Sequence, residues 1–364
     1  MKRVAALLLM LGFSAHAQFL GMWDNIVVVP TDLPPMDLQD VAYGQGKFVV
    51  ACKRGSLAVG TSTGPFTVAK LTQDEEFAGV AYGNGIFVAV GDFGTVATSS
   101  NAVDWHVRRA PDGEHLRDVC FGDGQFVIVG DDGTLLTTLG TPDSPLQPQV
   151  TPLTELIWTV AFGSGIYVAL AYNHTLLSSN AIDWVSIPNT HGHDSLAYGN
   201  GLFVASGGIG GMAATSNGVT WSGIGTGFED GNVGFAGARF WGLSDGSGIF
   251  MQRPTSWQFT EPTTSEFYAV AYGDGVFVVV GEEGNILRSR DMRPKMTITK
   301  LGGSAYELRI KDGEGAQYQL QTTADLTGLS WTSNAVFTHR GWSYETALTN
   351  ISTAPHRFYR LQVR

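Results

Sequence analysis

One short phrase recurs seven times along this chain and constrains its fold more than any other feature. It reads Val41-Ala-Tyr-Gly-Gln-Gly-Lys-Phe-Val-Val50, then Val80-Ala-Tyr-Gly-Asn-Gly-Ile-Phe-Val-Ala-Val90. Further copies are Val119-Cys-Phe-Gly-Asp-Gly-Gln-Phe-Val127, Val160-Ala-Phe-Gly-Ser-Gly-Ile-Tyr-Val168, Leu196-Ala-Tyr-Gly-Asn-Gly-Leu-Phe-Val204 and Val270-Ala-Tyr-Gly-Asp-Gly-Val-Phe-Val278. A divergent copy, Val233-Gly-Phe-Ala-Gly-Ala-Arg-Phe240, fills the sixth place. Their first residues are spaced by 39, 39, 41, 36, 37 and 37 positions. A period of this size marks a chain built from stacked supersecondary units.

Each copy reads as β structure. Val-Ala-Tyr is a short strand, Gly-Asn-Gly and its equivalents supply a tight turn with positive φ, and Phe-Val-Ala-Val-Gly is a second strand rich in β-branched and aromatic residues. Gly91-Asp-Phe-Gly94, Gly130-Asp-Asp-Gly133 and Gly281-Glu-Glu-Gly284 form the next turns. A third strand follows, then a turn, then a Trp (Trp105, Trp184, Trp221 or Trp257) opening a fourth strand. Four antiparallel strands in each repeat, seven times over, predict an all-β chain folded as a seven-bladed β-propeller across residues 22–294. The seventh copy ends at Arg288-Ser-Arg-Asp291 without a Trp, while Trp23-Asp-Asn-Ile-Val-Val-Val29 stands alone before the first. This N-terminal strand is therefore expected to complete the last blade and close the ring.

The phrase Ala-Tyr-Gly-Asn-Gly-x-Phe-Val-Ala-Val-Gly, with Thr215-Ser-Asn-Gly-Val-Thr-Trp221, resembles bacterial BNR-like, or Asp-box-like, propeller repeats. Ser99-Ser-Asn-Ala-Val-Asp-Trp105 and Ser179-Asn-Ala-Ile-Asp-Trp184 look like variants of the same turn, though they depart from the full Asp-box. In that family the box is a structural turn, so the resemblance implies architecture and not catalysis. Sialidases share the scaffold, and their mechanism implies an arginine cluster, a Tyr-Glu pair and an Asp. Here the Arg-Ile-Pro-type motif is absent, and Arg117 is the single Arg expected in the ring. The repeat also resembles, more distantly, the propellers that help build photosystem II.

The termini and the charge balance add context. Lys2 and Arg3, the apolar run Val4 to Phe13 and Ala15-His16-Ala17 read as a secretory signal peptide over residues 1–17, cut before Gln18. Its apolar run is too short to span a bilayer, and no transmembrane segment is expected elsewhere, so the protein is expected to be secreted or periplasmic. A formal net charge of -11 argues against a nucleic-acid partner, because phosphates demand clustered Lys and Arg. Residues 22–294 hold 12 basic and 28 acidic side chains, whereas residues 295–364 hold 8 and 5. That shift, with the loss of the repeat, predicts a separate C-terminal β module over 295–364. Tyr318-Gln-Leu-Gln-Thr-Thr-Ala-Asp-Leu, Trp331 and Phe358-Tyr-Arg-Leu361 there resemble small C-terminal β modules of secreted bacterial proteins. Cys52 and Cys120 lie two repeats apart and are expected to be buried thiols.

A position that differs among the seven copies is not dictated by the blade. Three residues before the opening position stand Leu38, Phe77, Leu116, Ile157 and Phe267, a core position, with His193 in the fifth copy and Asp230 in the sixth. One residue later stand Gln39, Ala78, Arg117, Trp158, Asp194, Gly231 and Tyr268, which no common packing demand explains. If the inner strands line the channel, Gln39, Arg117, Trp158, Asp194 and Tyr268, with His193, are the candidate ligand-binding residues. Polar groups with aromatic faces in a concavity suit a glycan or a partner protein, and a solvated channel mouth fits the same list. The turn pairs Lys53-Arg54, Asp92-Phe93, Asp131-Asp132, Asn173-His174 and Glu282-Glu283 are expected on the same face as ordinary turn chemistry. His191-Gly-His193-Asp194 would need a further ligand from elsewhere, such as His174 or His115, to hold a zinc ion; loop histidines without a metal are the expectation, and no metal or cofactor is expected. No nucleophile elbow, zinc-protease, P-loop or dinucleotide motif is present. The leading expectation is an exported, non-catalytic binding propeller. A glycoside hydrolase or polysaccharide lyase, and an assembly factor for a membrane complex, are the alternatives.

Overall fold

In the computed structural model, residues 23–27 and 36–289 are described apart from 190–191, 208–210, 225–230, 245–247, 253–256 and 262–264, together with strands between 295 and 363. The expected signal segment, with its cut before Gln18, lies outside the described residues, as do His191, Asp230 and Trp331. The chain divides into two compact units, 1–290 and 291–364.

The first unit is a seven-bladed propeller. Each blade is a four-stranded antiparallel sheet, in sequential order from the inner strand outward in blades 1 to 6. Blade 3, for example, runs Leu116–Gly122, Gln125–Gly130, Leu135–Thr138 and Gln147–Pro148. Each inner strand touches the inner strand of the next blade, and that of blade 7 (Phe267–Gly273) touches that of blade 1 (Leu38–Gly44), so the ring is closed. Trp23–Val27 forms the outer strand of blade 7, with Trp23 opposite Ser289 and Val27 opposite Asn285. Sequence distance between the chain ends is thereby converted into a hydrogen-bonded ladder, which removes two free sheet edges.

Two features of the repeated phrase have clear physical causes. Its glycine at the end of each inner strand lies under the aromatic ring of the next blade. Gly44 faces Tyr82, Gly83 faces Phe121, Gly122 faces Phe162, Gly163 faces Tyr198 and Gly199 faces Phe235, while Gly273 faces Tyr43 across the closure. A Cβ at any of these positions would overlap the ring. The sixth copy has Ala236 in this place, and the next ring, Tyr272, stands 38% exposed. In the variant boxes, the side chain of Asn101 accepts the backbone N–H groups of Val103 (2.8 Å) and Asp104 (2.9 Å). Asn180 and Asn217 repeat this arrangement. These are Asx turns, structural devices that end one strand and start the next.

The core is segmental: valines, alanines and aromatics of each second and third strand are buried between neighbouring blades. The second unit contains two three-stranded antiparallel sheets. One orders Lys295–Gly302, Ala305–Asp312 and Tyr344–Thr349, and the other Thr332–Thr338, Gln317–Thr323 and Phe358–Val363.

Candidate functional site

The inner strands do not run straight into the channel mouth. In blades 1, 2, 3, 4 and 7 the ladder slips by one residue, at Gln39, Ala78, Arg117, Trp158 and Tyr268. A bulge leaves its extra residue unpaired and re-aims the side chain. These five positions therefore escape the alternation that sets the core. Together with Asp194 of blade 5 they line a cavity of about 410 Å³ at the ring axis. Gly231 is not part of the lining in blade 6, where Asn232 takes the place.

The mouth mixes charge and aromatic surface. Arg117 makes a two-pronged ion pair with Asp131 of the third-strand turn of its own blade, Nε to Oδ1 at 2.6 Å and a terminal nitrogen to Oδ2 at 2.8 Å. Those bonds hold the guanidinium charged, its pKa raised above the ordinary value. Trp158 is 37% exposed. The Tyr268 hydroxyl donates to Glu266 at 3.1 Å. Burial first, and the Glu266 carboxylate second, push the phenol's pKa up, so it stays neutral.

His193 is not at the mouth. It is 1% exposed, and its Nδ1 donates to the Gly207 carbonyl at 2.6 Å. It occupies the core position filled by Leu38, Phe77, Leu116, Ile157 and Phe267, all buried, and its blade has no bulge there to turn it outward. His115 Nδ1 meets Asp92 Oδ1, in the turn of the preceding blade, at 2.7 Å, and His174 Nδ1 meets Glu155 Oε1, before the inner strand of its own blade, at 2.6 Å, so both histidines have carboxylate partners. Among the described residues no group of three His, Cys, Asp or Glu is placed to hold a metal ion. The turn residues Arg54, Phe93, Asp132 and Glu283 adopt left-handed φ of 59°, 52°, 53° and 54°, as tight turns into the third strand require.

One layer deeper lie two residues the sequence argument passed over. Asp40 accepts the N–H of Val41 through Oδ1 (2.7 Å) and that of Val80 in blade 2 through Oδ2 (2.8 Å). Asp118 does the same for Val119 (2.7 Å) and for Val160 in blade 4 (2.9 Å), and it also accepts the Thr159 hydroxyl (2.8 Å). Both line the cavity. Burial, then the neighbouring Asp118 carboxylate, push Asp40 up to about 7, and burial raises Asp118 as well. The same comparison across copies, moved one position on, contained the signal: Asp40, Gly79, Asp118, Thr159, Ser195, Asn232 and Ala269 are small or polar. Ser195 confirms the role, since its hydroxyl accepts the Val233 N–H at 3.0 Å and so ties blade 5 to blade 6.

The two thiols part company. Cys52 is buried between blades 1 and 7, whereas Cys120, expected to be buried too, is half-buried and lines the channel. It stands where most copies have Ala, and it packs against the buried cluster of blades 3 and 4 while reaching the channel lining. Among the described residues no helix is long and apolar enough to cross a membrane.

No protein-family model and no curated protein matches the chain. Solved structures do resemble it. YCF48 bound to D1 peptide shares 13% identity at a TM-score of 0.60, covering 73% of this chain and 96% of that one. YCF48 from Cyanidioschyzon merolae gives 13% and 0.58, with 74% and 98% covered. A catalytically inactive His-to-Ala variant of virginiamycin B lyase from Staphylococcus aureus, with quinupristin, gives 12% and 0.64, with 73% and 98% covered. At such identities the likeness is one of fold, and the chain is a seven-bladed β-propeller.

Proposed function

We propose that this protein is an exported, non-catalytic propeller that holds a segment of a partner protein at the channel mouth. The observation that carries this reading is the mouth itself: bulges in five blades aim unlike side chains into one concavity, where packing demands none of them. Trp158 and Tyr268 supply large, stiff contact surface at small entropic cost, the type of residue that dominates protein recognition. The structure of YCF48 with D1 peptide supports a peptide-binding role for a propeller of this shape. A lyase reading has less support, because the described residues lining this channel include no histidine. Asp40 and Asp118, two carboxylates of the lining, are tied to backbone N–H groups of adjoining blades.

The test is to screen the secreted form on peptide and glycan arrays, and then to repeat the screen with Trp158→Ala combined with Tyr268→Ala. Peptide binding lost in the double variant, at a nearly unchanged melting temperature, supports the reading. Hits confined to glycans would instead favour a sugar stacked on Trp158. Turnover of chromogenic glycosides would overturn the non-catalytic claim. N-terminal sequencing of exported protein should begin at Gln18.

A further inference from the structure

Away from the channel mouth, the seam between blades 2 and 3 holds a second cavity of about 290 Å³. The repeat explains why it is there. One residue of the third strand stands opposite the same valine of the second strand: Thr98 opposite Val88 in blade 2, Thr137 opposite Val127 in blade 3, Leu177 opposite Val168 in blade 4 and Arg288 opposite Val278 in blade 7. Three of these four side chains have a visible task. Leu177 reaches Gly218 of blade 5, where a Cβ would overlap its Cδ2. Thr137 Oγ1 accepts a side-chain N–H of Gln149 at 3.0 Å, and Arg288 donates to the Gly64 carbonyl of blade 1 at 2.8 Å. Gly140 of blade 3 corresponds to Gly218, since each faces that valine of the preceding blade, Val88 or Val168. Thr98 lacks the outer carbons with which Leu177 closes its seam, and the seam on Gly140 stays open.

The lining changes character with depth. Thr98, 1% exposed, lies at the floor with Ile86, the Trp105 indole forms a wall, and Asp104, His106 and Pro142 stand exposed at the rim. Among the described residues neither Thr98 Oγ1 nor Trp105 Nε1 has a hydrogen-bond partner. Buried polar groups are ordinarily paired. The indole alone says little, because Trp184 and Trp221 share its state in blades 4 and 5. Thr98 says more: its hydroxyl stands where blade 4 places an apolar side chain, so the blade demands no oxygen there.

We propose that this cavity binds a phenolic ring, with the phenol hydroxyl meeting that of Thr98 at the floor and the ring lying against Trp105 and Ile86. The site is separate from the channel mouth and does not rest on the partner-binding reading. Three features of the lining select this chemistry. A flat apolar ring matches the indole wall. A phenol oxygen both donates and accepts, so it satisfies Thr98 whichever way that hydroxyl points. A sugar carries hydroxyls around its whole edge and would leave some unpaired against Ile86 and Pro142.

The probe is 4-methylphenol, compared by calorimetry with toluene, which has the same ring and methyl group and no hydroxyl. Saturable binding of 4-methylphenol, about tenfold or more tighter than toluene, is expected. Thr98→Val keeps the shape of the floor and removes its oxygen, so 4-methylphenol should fall to the affinity of toluene. Thr98→Leu installs the residue blade 4 uses. It should abolish binding of both probes and raise the melting temperature by filling the cavity. Absence of saturable binding, equal affinity for the two probes, or an unchanged 4-methylphenol affinity in Thr98→Leu overturns the inference. So does loss of binding in the Trp158/Tyr268 double variant, which would put the probe at the channel mouth, or displacement by methyl glucoside. Nα-acetyl-tyrosine methylamide separates two sources of the ring. Affinity at least equal to that of 4-methylphenol marks a tyrosine side chain of a polypeptide, whereas binding of 4-methylphenol alone marks a free phenol.

Discussion

At the scale of single residues, Asp40 decides the most. Its carboxyl titrates at about 7 in the folded chain against an ordinary 3.8. Between those values the unfolded chain has lost the proton that the folded chain keeps, so folding stability falls as pH rises from about 4 to about 7. Above that range the loss is complete, and below it the term vanishes. Three units correspond to at most about 4 kcal/mol, and water reaching this half-buried group through the channel lowers that to about 1–2 kcal/mol. Asp40→Asn removes the titration. The difference in stability between variant and parent, followed by chemical denaturation, should shift toward the variant across this window. A flat difference would show that Asp40 ionises normally. Trp158→Ala belongs at the same scale: a bulged side chain with an exposed face should cost less than about 1 kcal/mol.

Among elements, the inner strand carries both the fold and the site. Its terminal glycine seats the next blade's aromatic ring, so Gly83→Ala drives a methyl into Phe121. Overpacking of this kind costs about 1–3 kcal/mol, to be read from the denaturation midpoint. Gly85, in the hairpin turn at φ 79°, would bring a Cβ only into ordinary contact with the Gln45 side-chain amide at 3.7 Å. Gly85→Ala should therefore cost only the left-handed penalty of about 1 kcal/mol. If the two variants lost stability equally, interlocking would not explain the glycine. The bulge near the strand's start was not legible in the sequence. The list Gln39, Ala78, Arg117, Trp158 and Tyr268 revealed that the position was unconstrained, while the slipped register that turns it toward the axis is a property of the paired strands.

For the whole molecule, closure through Trp23–Val27 makes the ring one cooperative object. A chain beginning after residue 27 loses the outer ladder of blade 7, and its melting temperature should fall. Cys52 reports the same event, because it is buried in the seam of blades 1 and 7, where burial pushes its thiol up to about 12. In the intact protein a maleimide should label Cys52 negligibly, and the truncated chain should label it readily, with mass spectrometry separating it from Cys120. Equal labelling would mean that the seam holds without the N-terminal strand.

Periodicity alone determined the blade number, the order of strands and turns, the closing strand and the position in each copy that the core leaves unconstrained, because alternation and turn chemistry act between residues close in the chain. His193 shows the limit of that reasoning, since an identity that breaks a pattern can still be accommodated inside the core. Only the tertiary structure set Asp40 and Asp118 into the lining of one cavity, committed Arg117 to Asp131 and left Cys120 half-buried where core meets channel. Such proximities depend on the curvature of the closed ring, and charge energies depend on every group that ring gathers.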